Sequence, residues 1–181
     1  MLMTVAELRQ YIQTEDSDQV LEAKLQALEQ MIRAYTNNNF QHRGYRAWAD
    51  LAAGVLMMEA LQPFRTGDTV EISGSVWNDG LYTIVDDNDF TVTVKEDTVN
   101  EPGVMVTKVV YPMDVKMGIV NLLKWDMERR DKVGVASETI SRHSVTYTDM
   151  TAQNTVMGYP TALMGFLRPY HRARFGKGLS V

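Results

Sequence analysis

The stretch "YRAWADLAAGVLMMEALQ", Tyr45 to Gln62, decides the fold class, because it separates an amphipathic segment from a run of short alternating segments. Its larger apolar residues recur at a spacing that places most of them on or near one face of a helix. They are Trp48, Leu51, Ala52, Val55, Leu56 and Met58. Gly54 inside such a helix costs about 1 kcal/mol relative to alanine and is typical of a close helix crossing. The stretch therefore predicts a helix that ends at Pro63.

Two further helices are predicted on the N-terminal side of this stretch. Thr4 and Glu7 have the spacing of a capping box, which predicts a short first helix. From Gln19 to Tyr35 the apolar residues form the clearest helical stripe in the chain. Asn37–Asn39 follow, and asparagine tolerates the left-handed conformation that caps a helix C-terminus. We interpret the three asparagines as a structural stop and not as a ligand site.

The segment after Pro63 has the character of β-structure. Residues 64–110 contain four short, alternating, β-branched runs, which predict four strands. Asn78-Asp79-Gly80 predicts a tight turn between the first two, because Asp-Gly supplies positive φ angles. Asp87-Asn88-Asp89 joins the next pair. These strands predict a small antiparallel sheet or barrel inserted between helices.

Helical spacing returns from Met113 to Arg130. Residues 134–149 are polar and weakly alternating, which predicts a β-hairpin or an extended arm. A short helix is expected from Pro160, because proline is tolerated in a first turn, and Pro169 ends it. The prediction is therefore an α+β fold, mainly a bundle of four to five helices (1–63 and 111–167). The small β domain (64–110) is inserted, and a basic tail (168–181) is extended.

Charge is distributed unevenly along the chain, whose net charge is −5. Residues 64–107 contain nine acids against two bases, a balance of −7, while the remainder carries +2. The last fourteen residues contain three arginines and one lysine but no acid. A basic segment of this kind binds nucleic acid or an acidic protein surface, or is simply solvated.

No pattern in the sequence predicts catalytic, cofactor-binding or metal-binding residues. Cysteine is absent, and His42, His143 and His171 share no metal-ligand spacing. Residues 86–90, "DDNDF", lack the glycine and the glutamate of a calcium loop. Ser141 lies near His143, but no third partner of a triad is identifiable. We therefore expect a protein that is not an enzyme and has no cofactor. The lack of a signal peptide or a long apolar run predicts no membrane association.

Three segments in a fixed order resemble one protein family. They are "LEAKLQALEQMIRAYTNNNF" (21–40), "GVASETISRHSVTY" (134–147) and "FLRPYHRARFG" (166–176). Together with the helices around them, they resemble the head–tail connector (adaptor) proteins of tailed bacteriophages and prophages. The branch is the one with a β insertion before the penultimate long helix. The resemblance covers residues 4–62 and 111–176.

The resemblance implies a structural role in the virion. About a dozen identical subunits would form a ring beneath the portal, join head to tail and extend the DNA channel. The partners would be other copies, the portal protein and the next neck or tail protein, and double-stranded DNA would pass without specific binding. The protein would be made in the host bacterial cytoplasm and reside in the virion neck.

The resemblance also implies three groups of interface residues. The tail, which could span on the order of 45 Å when extended, would dock on the portal through Arg168, Tyr170, Arg172, Arg174 and Phe175. Contacts between subunits would use Leu56, Met57, Met58 and Leu61, and in the arm Thr139, Ile140, Val145 and Tyr147. An acidic face of the insertion, directed into the channel or toward a partner, would contain Asp68, Glu71, Asp86, Asp87 and Asp89.

Three alternatives remain open at the level of sequence. A nucleic-acid-binding module would use the β insertion and the basic tail, although the insertion is acidic and its aromatic residues are not interleaved with bases. Another neck or tail-completion protein has a similar size. A host regulatory or enzymatic protein is disfavoured, because no site chemistry supports it.

Overall fold

A closed β-barrel dominates the fold. The computed structural model describes residues 2–60, 62–129, 137–140, 143–146 and 154–173. Within them, six antiparallel strands close into a barrel, and only three helices reach seven residues. The prediction of a mainly helical bundle is therefore wrong. The protein is α+β, and its barrel has two more strands than the sequence predicted.

The barrel strands lie in the order β1-β2-β5-β4-β3-β6, with β6 closing on β1. Their bounds are β1 Gln41–Ala52, β2 Val55–Met58, β3 Thr69–Ser73, β4 Gly80–Asp87, β5 Thr91–Val94 and β6 Glu101–Val109. Every neighbouring pair is antiparallel. The barrel encloses its own core, which includes Leu56, Phe64, Val70, Ile72, Ile84 and Val106.

The stretch predicted as a helix from Tyr45 to Gln62 forms most of a β-hairpin instead. β1 and β2 pair with Ala52 opposite Val55, and Ala53 and Gly54 make the turn with φ of 50° and 79°. Positive φ at both central residues is characteristic of a two-residue hairpin turn. Gly54 therefore serves a turn and not a helix crossing.

Among the described residues, the helical part contains four elements, α1 Val5–Leu8, α2 Asp18–Thr36, α3 Met113–Arg129 and a 3-10 helix Thr161–Tyr170. The Ser17 hydroxyl caps α2 by accepting a hydrogen bond from the Val20 N–H. Asn37 ends α2 in the left-handed conformation, with φ of 50°. The predictions of α2, its asparagine cap and α3 are confirmed.

A second core lies among these helices, and one glycine permits their closest approach. α1, α2, α3 and the 3-10 helix bury apolar residues that include Leu8, Leu25, Ile32, Ile119 and Leu167. A Cβ added at Gly118 of α3 would lie 2.4 Å from the ring of Phe166. The 3-10 helix therefore packs directly on the backbone of α3.

Buried polar contacts fix the barrel against α2. Arg33 on α2 forms an ion pair with Glu71 on β3 at 2.8 Å, and both side chains are largely buried. Gln41 donates a second hydrogen bond to the same carboxylate. The Tyr111 hydroxyl, at the start of the connection to α3, donates to Glu29 at 2.8 Å. Burial, followed by the Glu29 charge, raises the pKa of Tyr111, so the hydroxyl stays a donor.

Two small two-stranded sheets complete the described structure. β7 Ser137–Ile140 pairs with β8 His143–Thr146, and neither pairs with another described strand. β9 Thr155–Val156 pairs with β10 Tyr159–Pro160 ahead of the 3-10 helix. The rest of the predicted arm, residues 134–136, 141–142 and 147–149, lies outside the described residues. Among the described helices, none is long and apolar enough to cross a membrane.

Candidate interaction surfaces

The asparagine stop after α2 binds the C-terminal segment in a small clamp. The Asn38 side chain donates to the Tyr170 carbonyl at 3.1 Å, and the Asn37 side chain donates to the Ala173 carbonyl at 3.1 Å. The Arg172 N–H donates to the Thr36 carbonyl at 2.8 Å. Asn37 thus caps α2 with its backbone and binds the C-terminal segment with its side chain.

Aromatic contacts also hold this segment. The Tyr170 ring lies 5.7 Å from that of Phe40, and His171 packs edge-on against Tyr35 at 4.6 Å. The Tyr170 hydroxyl donates to the Asp114 carboxylate at 2.8 Å. This hydrogen bond raises the pKa of Tyr170. Residues 170–173 are therefore part of the folded domain.

The structure describes three of the five predicted portal-binding residues. Arg168 and Tyr170 belong to the 3-10 helix, and Arg172 follows within the clamped segment. The side chains of Arg168 and Arg172 are exposed there. Arg174 and Phe175 lie outside the described residues. Residues 168–173, predicted as the start of the extended tail, therefore belong to the folded domain.

The structure separates the predicted subunit-contact residues. Leu56 and Met58 are buried in the barrel core, whereas Met57 is exposed on the outer surface. Leu61 and Tyr147 lie outside the described residues. Thr139, Ile140 and Val145 are in the β7–β8 ribbon.

Three of the five predicted acidic residues are engaged in contacts within the domain. Asp68 is bound to Lys108, and Glu71 is the buried partner of Arg33. Asp87 accepts hydrogen bonds from the Thr66 hydroxyl and N–H, and the first of these lowers its pKa. Of the five, Asp86 and Asp89 remain exposed.

Sequence reasoning missed a basic, aromatic surface at the start of β1, which we call the β1 surface (residues 41–48). His42 stacks on Tyr45 with a ring separation of 4.2 Å, and Arg46 donates to Thr107 at 3.0 Å. Arg43 is exposed, and the Trp48 side chain is 64% exposed. The alternation of bases and aromatics in "HRGYRAW" was the available signal, but it stands out only once these residues are placed on a strand.

A second surface that the sequence did not reveal is an apolar tip. It is formed by the loop between β3 and β4 together with the neighbouring loop between β5 and β6. We define the tip as Val76, Trp77 and Val99, of which Val76 is 75% and Trp77 is 73% exposed. The Glu101 carboxylate accepts from the Val76 N–H at 2.7 Å. The buried Asn78 side chain exchanges hydrogen bonds with the Val99 backbone at 2.8 and 3.0 Å. The predicted tight turn at Asn78-Asp79-Gly80 is therefore wrong: six residues join β3 to β4, Gly80 begins β4, and neither Asp79 nor Gly80 has a positive φ.

One cleft of the described structure is lined by ion pairs. It has a volume of about 450 Å³ and lies between the start of the helical part and the barrel. Four of the charges on its wall are matched in two ion pairs, Lys116 with Glu7 and Lys108 with Asp68. In the described part of the chain, no three potential metal ligands converge.

Comparison with known proteins adds no assignment. Neither the protein-family models nor the curated proteins compared with the chain match its sequence.

Proposed function

We propose that the chain is a structural protein of the bacteriophage neck. Copies of it form a ring beneath the portal, join the head to the tail and extend the DNA channel. The proposal is supported by the resemblance to head–tail connector proteins and by the surfaces of the domain, which present docking features in place of a reaction centre. No cofactor takes part.

The clamp on residues 170–173 is the observation that carries the proposal. It uses backbone and side-chain hydrogen bonds from the end of α2 to fix where the C-terminal segment leaves the domain. A basic segment that reaches a neighbouring ring must leave every copy at the same point and in the same direction. Fixing its base also lowers the conformational entropy lost on docking.

The partners follow from this role. Each copy contacts two others, the portal binds the basic segment after Ala173, and the opposite side of the ring receives the next neck or tail protein. Arginine and aromatic residues such as Arg174 and Phe175 commonly carry the binding energy of protein interfaces. Double-stranded DNA passes through the ring without specific contacts. The subunits are made in the host bacterial cytoplasm and reside in the virion neck.

Binding to purified portal rings tests the proposal. The full chain is compared with a chain that ends at Ala173, which retains the clamp, and with a full chain carrying Arg174→Ala and Phe175→Ala. We expect the full chain to cosediment with the rings and both variants to lose binding by at least about tenfold. Equal binding of all three chains would remove the segment from the mechanism, and no binding by the full chain would contradict the proposal itself.

The β1 surface favours a second candidate function, binding of nucleic acid. Exposed bases alternate with aromatic rings there, and base–aromatic stacking contributes about 1–3 kcal/mol per base. Fluorescence anisotropy with single- and double-stranded oligonucleotides separates the two candidates. The second candidate requires tight, salt-dependent binding by the monomer that Arg43→Glu abolishes, whereas a connector shows only weak binding at physiological salt.

A third possibility is a tail-completion protein of similar size. It would occupy a different position in the neck, so its contact with the portal distinguishes it from the connector.

A further inference from the structure

We propose that the tip of one copy docks on the β1 surface of a second copy. This inference rests on the proposed function, since it identifies one contact by which the ring closes. The tip supplies apolar anchors in acidic surroundings, and the β1 surface supplies aromatic rings in basic surroundings.

The tip is pre-organised to project large apolar side chains into solvent. The Glu101 carboxylate holds the Val76 N–H and also approaches the Trp77 N–H at 3.4 Å. Asn78 donates to the same carboxylate at 2.8 Å and is itself buried. A loop held rigidly in this way loses little entropy when Trp77 enters a partner, and tryptophan is enriched among the residues that dominate interface energies.

The charges around the tip indicate which surface of a second copy it binds. Residues 73–80 and 96–103, which surround the tip, contain four acids and no lysine or arginine. Residues 41–48 contain two arginines and a histidine and no acid. The tip therefore repels nucleic acid and matches the β1 surface, and such complementarity speeds encounter and fixes register.

The two surfaces of one molecule do not cover each other, since Val76, Trp77 and Trp48 are 75%, 73% and 64% exposed. β6 pairs with β1 along its length, with Glu101 opposite Leu51 near the tip and Val109 opposite Gln41 at the β1 surface. Trp48 of the β1 surface lies between these pairs, opposite Met105, which is four residues or about 13 Å of strand from Glu101. Because both surfaces remain exposed within one molecule, the proposed contact joins two copies. A contact between two different surfaces is heterologous. Repeating it forms a ring when the rotation from each copy to the next leads back to the first copy.

Photo-crosslinking tests the contact directly. Val76 is replaced by p-benzoylphenylalanine, the full chain is assembled on portal rings and irradiated, and the linked peptides are identified by mass spectrometry. We expect crosslinks to residues 41–48 of another copy. Crosslinks from assembled rings to a different segment, to the portal, or only within one copy would overturn the inference.

Charge exchange provides an independent test. Mass photometry of portal-templated rings is expected to show that Trp77→Ala and Arg43→Glu each weaken assembly by at least about tenfold. Arg43→Glu and Asp79→Lys chains, each weak alone, are expected to assemble when mixed. Met113→Ala removes an exposed apolar side chain elsewhere, and Arg65→Glu reverses an exposed charge elsewhere, so both serve as controls.

The outcomes distinguish this inference from the proposed function. If Trp77→Ala rings assemble as well as wild-type rings, the inference is contradicted, but the connector proposal is not affected. A wild-type chain that forms no ring even on the portal would contradict both. Intact rings that lose only the next neck protein would show that the tip binds that protein instead of another copy.

Discussion

Asn38→Ala tests the clamp at its most buried point. The Asn38 side chain accepts a hydrogen bond from the Phe40 N–H at 3.0 Å and donates to the Tyr170 carbonyl at 3.1 Å. Each buried group left without its partner costs about 1–3 kcal/mol. Phe40 has a φ of 52°, which is strained for an aromatic residue and depends on this local bond. We expect the free energy of unfolding to fall by about 2–4 kcal/mol.

Urea unfolding measures this loss, and hydrogen exchange at the Arg172 amide, which donates to Thr36, reports on the clamp itself. Asn37→Gly is the matched control, because glycine accepts the left-handed backbone but cannot bind the Arg172 and Ala173 carbonyls. We expect it to speed exchange at Arg172 while changing the unfolding free energy by less than about 0.5 kcal/mol. A loss below about 0.5 kcal/mol for Asn38→Ala, with unchanged exchange, would refute the reasoning.

Three other predictions concern the packing of Gly118 on Phe166, the ion pair between Arg33 and Glu71, and the tip. Gly118→Ala should lower the free energy of unfolding by about 1–3 kcal/mol, because its Cβ meets the Phe166 ring, and Phe166→Leu should recover part of the loss in urea unfolding. Glu71→Ala should cost about 3–5 kcal/mol by the same assay, since it leaves Arg33 buried without its carboxylate; a loss below about 1 kcal/mol would contradict this role. The hydrogen bond from the Val76 N–H lowers the pKa of Glu101 from its ordinary value of 4.5. Its contribution to stability is therefore fully present above that value and is lost as pH falls through the lower, folded-state pKa. The NMR shift of the Val76 amide should titrate with a midpoint below 4.5, and a midpoint at or above that value would contradict the contact.

The sequence predicted the elements whose local signals agree with their tertiary setting. α2 has both a clear apolar stripe and its caps, and the four strands after Pro63 are rich in β-branched residues. The stretch from Tyr45 to Gln62 was misread because alanine, leucine and methionine are good helix formers. Its hairpin turn, Ala53-Gly54, also lacks the usual asparagine or aspartate at the first position. Closure of the barrel overrides these preferences, since it places Leu51 and Leu56 in the core.

The interaction surfaces were harder to predict than the fold. Asn37 was recognisable as a cap, but Asn38 and the carbonyl it binds lie 132 residues apart in the chain. No local pattern reports a contact of that kind. The tip could not be predicted for a different reason: the backbone of Trp77 is held by Glu101, the first residue of β6, which lies 24 residues away in the chain. The composition of residues 64–107 indicated an acidic surface but not that apolar side chains project from it.

Cryo-electron microscopy of portal rings saturated with the chain tests the central proposal most directly. We predict a closed ring of about a dozen copies, coaxial with the portal and enclosing a channel wide enough for duplex DNA. In that ring the segment after Ala173 should reach the portal. Isolated monomers on the outside of the portal, or rings that leave the portal unoccupied, would contradict the account.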